Sequence, residues 1–231
     1  MNALVASARS VLLSIPEVSR VASLRRAAPL FSQGQPADMA YFIEDGLVKL
    51  TRTSAAGGRI IVSICGPGHL VGEEVLSEDG RTYHTEAEVL SPATLYRIPR
   101  EALKRLIASN SELALAVISH LLEHKLELAE KVELLCLHDV EYRILHYLAE
   151  LSKLVRPLES GEGYPLPITQ LELADLIGAT RETTSTTLNQ LERRGLLKLS
   201  RRLLTISSPV TLLSAANAKL VEDDNGNAGA A

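Results

Sequence analysis

The chain has 231 residues, 46% of them hydrophobic and 23% charged, with a formal net charge of −4. That balance excludes a disordered or fibrous protein and leaves room for two domains of ordinary size. It also excludes bulk polycationic attraction to nucleic acid, so any such contact must come from a local patch.

No run reaches the roughly 18 to 20 consecutive apolar residues that a membrane span needs. Arg9, Pro16 and Glu17 interrupt the N-terminal stretch before a signal-peptide core develops, so a soluble, cytoplasmic protein without a membrane partner is expected. Cys65 and Cys136 lie far apart, with no Cys-x-x-Cys pair and no His/Cys cluster. Neither a disulfide framework nor an iron–sulfur cluster is expected.

From residue 24 to about residue 98, short runs of Val, Ile, Leu, Thr and Tyr are bounded by Gly, Pro, Asp and Ser. Residues 41–43, 47–53, 60–64 and 93–98 read as strands, with turns at 33–36, 44–46, 56–58 and 66–68. Many short strands at close spacing predict a jelly roll or barrel. After Pro99 residues 100–108 read as a short helix, and residues 111–138 as a much longer one containing neither Gly nor Pro. With Ser111 at heptad position a, the a positions are Ser111, Ile118, Lys125 and Val132, and the d positions are Ala114, Leu121, Leu128 and Leu135. A core helix lying on the β domain and a dimer helix both fit this seam. Its length favours the dimer, with Ile118, Leu121, Leu128, Val132 and Leu135 as the interface.

Residues 140–154 predict another amphipathic helix, followed by a polar loop at 156–165. Thr169-Gln170-Leu171-Glu172 is a capping box that starts a helix running to about Ile177. Gly178 suits the left-handed turn at its end, and Thr180 suits the cap of a second helix over 181–194, closed by Gly195. Two helices around a short Gly-containing turn predict a helix-turn-helix. Leu171, Ala174, Ile177, Leu188 and Leu191 would face inward. Arg181, Glu182, Thr184 and Ser185 would face outward on the first turn, where such a helix enters the major groove.

Residues 196–199 and 203–206 read as two strands of a wing whose tip carries Arg201 and Arg202, placed to meet phosphate. Residues 168–206 hold the cations Arg181, Arg193, Arg194, Lys198, Arg201 and Arg202 against the anions Glu172, Asp175, Glu182 and Glu192. This leaves a net charge of +2 inside an acidic protein. The final segment, 222–231, has no apolar residue larger than Ala and is expected to be disordered.

These features together resemble the CRP/FNR family of bacterial transcription regulators. The matching pieces are Phe31-Ser32-Gln33-Gly34, Ala40-Tyr41-Phe42-Ile43, Gly46-Leu47-Val48-Lys49-Leu50, Gly66-Pro67-Gly68, Gly72-Glu73 and Thr180-Arg181-Glu182-Thr183. The resemblance implies an α+β protein with an N-terminal jelly roll of the cyclic-nucleotide-binding type over 1–110. A dimerisation helix over 111–138 and a winged helix-turn-helix over 139–221 would follow. It implies a homodimer on palindromic double-stranded DNA, with RNA polymerase as a further partner.

The family reads bases from the first turn of its second helix, which transfers to Arg181, Glu182 and Ser185, with Thr169, Thr180 and Thr184 beside them. Many members carry Arg where this chain has Thr186, so the operator is expected to depart from the commonest consensus. The effector region transfers to Gly72, Glu73, Arg81, Tyr83 and His84. Cyclic AMP binders follow Gly-Glu with an Arg-Ser or Arg-Thr pair. Here the aligned pair is Tyr83-His84, and Leu128 and Ala129 replace hydroxyl residues on the long helix. Losing the arginine forfeits a charge-assisted bond of about 1.5 to 3 kcal/mol. Cyclic AMP is therefore not favoured, while haem, an organic ligand or no ligand stay open. The chain is closer to the FNR-like branch but lacks its cysteine cluster.

His120-Leu121-Leu122-Glu123-His124 matches the H-x-x-E-H pattern of zinc peptidases. Both histidines lie off the apolar seam, on what reads as a solvated helix face, so no metal site is expected. His69, His84, His138 and His146 stand alone in the sequence. His84 has the strongest claim to a ligand, because it lies where the family binds effectors. Cys65 reads as core. No P-loop, Gly-x-Ser-x-Gly or dinucleotide fingerprint occurs, so no catalytic residue is assigned and an enzyme is not expected. A cyclic-nucleotide-binding signalling module without DNA binding is the alternative, opposed by the basic wing and the outward Arg181-Glu182 pair.

Overall fold

The computed structural model describes residues 11, 15–78, 82–159, 161, 163–200 and 203–227, with backbone alone for 220–227. Six antiparallel strands form the N-terminal sheet: β1 (Ser19–Leu24), β2 (Pro29–Phe31), β3 (Met39–Thr53), β4 (Arg59–Cys65), β5 (Leu70–Val71) and β6 (Glu86–Pro99). The strand order is β1-β6-β3-β4, with β2 also on β6 and β5 also on β3, in a jelly-roll-like arrangement.

The sequence predicts a break at 44–46, yet β3 runs through it. Register shifts between Ile43 and Val48 let β3 stay paired to β6 while it bends, which is the work of β-bulges. The sequence also shows no strand signal before residue 24, because β1 is largely exposed on both faces and lacks an alternating apolar pattern. Phe31, Ile43, Val48, Val71, Val89, Leu95 and Ile98 fill the core, closed by Ala102, Leu103 and Leu106 of α1 (Arg100–Ser109). Between β5 and β6, a single 3-10 turn, Glu73–Leu76, carries the first acidic residues after Gly72.

The long helix α2 (Ser111–Leu137) starts where Asn110 Oδ1 accepts the Leu113 amide at 3.0 Å. Contacts divide the chain inside this helix, into Met1–Glu130 and Lys131–Ala231, ahead of the boundary near Asp139 that the sequence suggests. The reason is local: Lys131 and Leu134, in the last turns of α2, are buried within the second unit.

That unit continues with α3 (Val140–Lys153), β7 (Tyr164–Leu166), α4 (Gln170–Ile177), α5 (Arg181–Arg193), β8 (Leu197–Leu199), β9 (Leu204–Ile206) and α6 (Pro209–Asn227). Asp139 caps α3 by accepting the Tyr142 amide at 2.8 Å. Ile144, Leu145, Leu148, Leu173, Ile177, Leu188, Leu191, Ile206 and Leu212 form its buried interior. The antiparallel order β7-β9-β8 gives the wing one strand more than the sequence indicates. Helix α6 continues to Asn227, past residue 222 where disorder is expected, and residues 228–231 lie outside the described part. Among the described residues, no helix is long and apolar enough to cross a membrane.

Candidate functional site

The helix-turn-helix follows from its caps. Thr169 Oγ1 accepts the Glu172 amide at 3.2 Å, and Glu172 Oε2 accepts the Thr169 amide at 2.9 Å, so the predicted capping box is formed. Gly178 ends α4 at φ 64° and ψ 41°. A Cβ there would lie 2.8 Å from Leu135 Cδ2, so this position needs glycine both for its left-handed backbone and for the close approach of α2. Thr180 then caps α5 by accepting the Thr183 amide at 3.2 Å.

Thr169 and Thr180 are therefore cap residues, and Thr169 is half-buried. Arg181 and Glu182 are exposed on the first turn of α5, and Ser185 is half-buried beside them. Thr184 corrects the sequence reading: it is fully buried, and its hydroxyl donates to the Thr180 carbonyl at 2.8 Å. It faces inward because the buried stripe of α5 runs through Thr184, Thr187, Leu188 and Leu191, one turn earlier than its apolar residues alone indicate. Thr183 and Thr186, which the sequence reading does not place on the outward face, are exposed instead. Leu171, expected inside, is 56% exposed, and Leu173 takes its place in the core.

In the wing, β8 and β9 pair from Leu197↔Ile206 to Leu199↔Leu204. The Ser200 amide donates to the Leu203 carbonyl at 3.0 Å, closing the hairpin. Arg201 and Arg202, which the sequence places next in the chain, lie outside the described residues.

In the N-terminal unit, Gly72 adopts φ 81°, and a Cβ there would sit 2.9 Å from the Met39 carbonyl oxygen. Glu73 Oε1 lies 3.4 Å from His124 Nδ1 of α2. Burial raises the Glu73 carboxyl, but the hydrogen bonds from His124 and its own backbone outweigh it and leave the group below its ordinary range. The bond to Glu73 raises the His124 imidazole against the opposing effect of burial.

His120 Nε2 lies 2.9 Å from the Leu70 carbonyl oxygen, and its ring meets that of His69 edge-on at 5.6 Å. His69 is held below its ordinary value by burial and by His120. The H-x-x-E-H histidines thus face the β domain and not solvent. The single-seam reading fails because α2 has a second inward face, with Leu113 and Ala116 buried and His120 and His124 half-buried. Among the described residues, no group of three or more His, Cys, Asp or Glu has the geometry to hold a metal ion. Burial pushes the Cys65 thiol up to about 12, which suits a core residue.

Tyr83 is buried and stacked on Phe31 with centroids 3.8 Å apart, and its hydroxyl donates to the Met39 carbonyl at 2.6 Å. Its hydroxyl is therefore committed to the fold. His84 is exposed, with its amide donating to Glu74 Oε1 at 3.0 Å, and Arg81 lies outside the described residues.

On the opposite face of α2, Leu115, Ile118, Leu122, Leu126 and Val132 are each more than half exposed. Leu121 and Leu128 are only 39% and 38% exposed, and Leu135 is half-buried against the Gly178 turn. The exposed apolar stripe is thus centred between the heptad a and e positions. Leu115 and Leu122, absent from the predicted seam, belong to it.

Comparisons with known proteins agree with this geometry. The cyclic nucleotide-binding domain matches residues 21–110, and the Crp-like helix-turn-helix domain matches residues 142–214. The chain is 28% identical over 196 residues to the global nitrogen regulator of Nostoc sp., covering 83% of this chain and 87% of that protein. It is 28% identical over 193 residues to the CRP-like cAMP-activated global transcriptional regulator of Mycobacterium tuberculosis, covering 83% and 85%.

In fold it is similar to the c-di-GMP responsive global regulator CLP of Xanthomonas campestris, with a TM-score of 0.74, 24% identity and coverage of 88% and 99%. FixK2 of Bradyrhizobium japonicum gives 0.71, 20% identity and coverage of 85% and 96%. A sensor domain of the cyclic-nucleotide-binding type, a long helix and a Crp-like helix-turn-helix in this order make the chain a transcription regulator of the CRP/FNR family.

Proposed function

We propose that the protein acts as a cytoplasmic homodimer that reads a palindromic operator through the first turn of α5 and works without catalysis. The observation that carries this reading is the exposed Arg181-Glu182 pair on a helix start capped by Thr180, one turn after a helix that itself begins with a formed capping box. Arginine suits the O6/N7 edge of guanine and glutamate the N4 of cytosine, so each half-site is expected to hold a G·C pair read by these side chains and Ser185. Arg201 and Arg202 would add phosphate contacts from the wing, and the dimer would present its surface to RNA polymerase.

The apolar stripe of α2 supports the dimer. Leu76, Ile107, Ala114, Val117, Ile118 and Leu121 line a shallow hollow of about 360 Å³ along it, suited to side chains of a second copy. The domain scheme is then a sensor over 1–110, a dimer helix over 111–138 and a reader over 139–221. Control runs through the sensor, but not by cyclic AMP held in the manner of its binders. Tyr83 has its hydroxyl committed, Glu73 is engaged by His124, and Leu128 stands where a hydroxyl would be needed.

The test is a selection of bound sequences from random duplex DNA at fixed salt, with and without cyclic AMP, using wild type and Arg181→Ala. A palindrome enriched equally in both conditions, and degraded at the G·C position by the variant, is expected. No enrichment would overturn DNA recognition, and a palindrome seen only with cyclic AMP would overturn the effector reading.

A further inference from the structure

The last two residues of α4, Leu176 and Ile177, end the helix with carbonyls that have no amide one turn ahead, because Gly178 turns left-handed. Each of these carbonyls receives a cation, and the two cations come from different helices. Lys131 Nζ, at the end of α2, donates to Leu176 O at 2.7 Å, and the Arg143 guanidinium of α3 donates to Ile177 O at 2.7 Å. Positive charge at a helix C-terminus also complements the helix dipole.

Lys131 is only 7% exposed. Its ammonium lies 3.4 Å from the Tyr147 hydroxyl and 4.9 Å over the Tyr147 ring centroid. One turn on, Leu135 packs against Gly178. The end of α2 therefore touches both the final turn of α4 and the glycine that begins the helix-turn-helix turn.

We propose that Lys131 and Arg143 are positioning residues for operator recognition, holding the end of α4, and through the Gly178–Thr180 turn the start of α5, to the last turns of the long helix. This rests on the DNA-binding reading above and deepens it. Lys131 is buried and Arg143 half-buried against the end of α4, and both act through the turn that sets where Arg181 begins.

The charge on Lys131 is not explained by stability. On the packed elements the charged and titratable groups are Glu141, Tyr142, Arg143, His146, Tyr147, Glu150 and Lys153 of α3 and Glu172 and Asp175 of α4, of which Tyr147 meets the Lys131 ammonium, with Glu127 and Glu130 preceding it on α2. Among the described residues none forms an ion pair with it. Burial alone lowers its ammonium to about 8 from an ordinary 10.5. A lysine with a lowered folded value binds fewer protons folded than unfolded between those two limits. The charged form therefore costs stability at neutral pH, and stability rises as pH passes upward through about 8. Lys131→Met keeps the stem and removes both the cost of burying the charge and the donor to Leu176 O, two effects of opposite sign, so its unfolding midpoint should change little.

The experiment measures affinity for the selected operator from about pH 7 to about pH 9 at fixed salt, with unfolding midpoints, for full-length wild type, Lys131→Met and Arg143→Lys. At neutral pH, Lys131→Met should lose on the order of tenfold in operator affinity without loss of stability. The wild type should weaken toward it as pH passes about 8, while the variant stays flat. Arg143→Lys, which keeps a donor for Ile177 O, should retain most of the affinity.

Wild-type affinity in Lys131→Met, or a loss that tracks a lower unfolding midpoint, would overturn the proposal. A wild type that selects no operator would overturn the DNA-binding reading beneath it, which the variants leave distinguishable.

Discussion

Arg181 and Thr184 are neighbours on the first turn of α5 and have opposite roles. Arg181 is exposed and free to reach a base, so Arg181→Ala should cost about 1 to 3 kcal/mol of operator affinity and relax the preference at its G·C position, with the unfolding midpoint unchanged. Thr184 is buried with its hydroxyl on the Thr180 carbonyl. Thr184→Val should lower stability by about 1 kcal/mol in a urea titration and leave base preference intact.

His124 of α2 and His69, just before β5, set a pH dependence whose sign can be worked out. His124 has its value raised by Glu73, so the stability it contributes is complete below its ordinary 6.5 and is lost as pH rises through the raised value. His69 has its value lowered by burial and by His120, so its contribution is lost as pH falls from 6.5 through the lowered value. Urea midpoints should fall on both sides of about 6.5. His124→Gln should flatten the alkaline side, with a smaller change on the acid side because His124 also lowers His69 and Glu73, and an unchanged alkaline slope would show that the Glu73 contact carries no weight.

Among the elements, α4 and α5 were the most legible in the sequence, because caps are local chemistry: Thr169, Glu172, Gly178 and Thr180 each act within a few residues. Gly178→Ala should destabilise the C-terminal unit by about 1 to 2 kcal/mol from the left-handed backbone alone, read as a lower unfolding midpoint, with Leu135 pushed aside in addition. What stayed illegible depended on partners distant in sequence. Thr184 and Leu171 were misplaced because hydrophobicity alone does not fix the phase of a helix with a buried threonine. The inward face of α2 was missed because a single-seam reading gives a helix one buried side, whereas this one packs His120 and His124 on its own domain and exposes Ile118 and Leu122. Strand β1 carried no alternation to read, and the start of α6 at Ser208-Pro209, a cap residue followed by proline at the first helical position, was passed over. The Lys131 and Arg143 contacts join residues more than thirty positions apart, beyond any local pattern.

At the scale of the molecule, the order of sensor, long helix and reader was legible because each part carries its own punctuation, while the effector was not, because its recognition depends on how loops converge. Dimerisation follows from the stripe on α2. Ile118→Asp together with Val132→Asp, both on its exposed side, should give a monomer in sedimentation that retains its helical content; a dimer unchanged in mass would refute the assignment.

The two readers of a symmetric dimer should then face successive major grooves on one side of the duplex. The most direct test pairs a hydroxyl-radical footprint, which reads the backbone, with dimethyl sulfate methylation of guanine N7, which reads the base contact, for the full-length protein on its selected duplex at stated salt. Two equivalent protected patches centred about 34 Å apart, each losing its guanine contact in Arg181→Ala, are the predicted result. A single patch, or protection unaltered by Arg181→Ala, would contradict a two-fold regulator that reads bases from the start of α5.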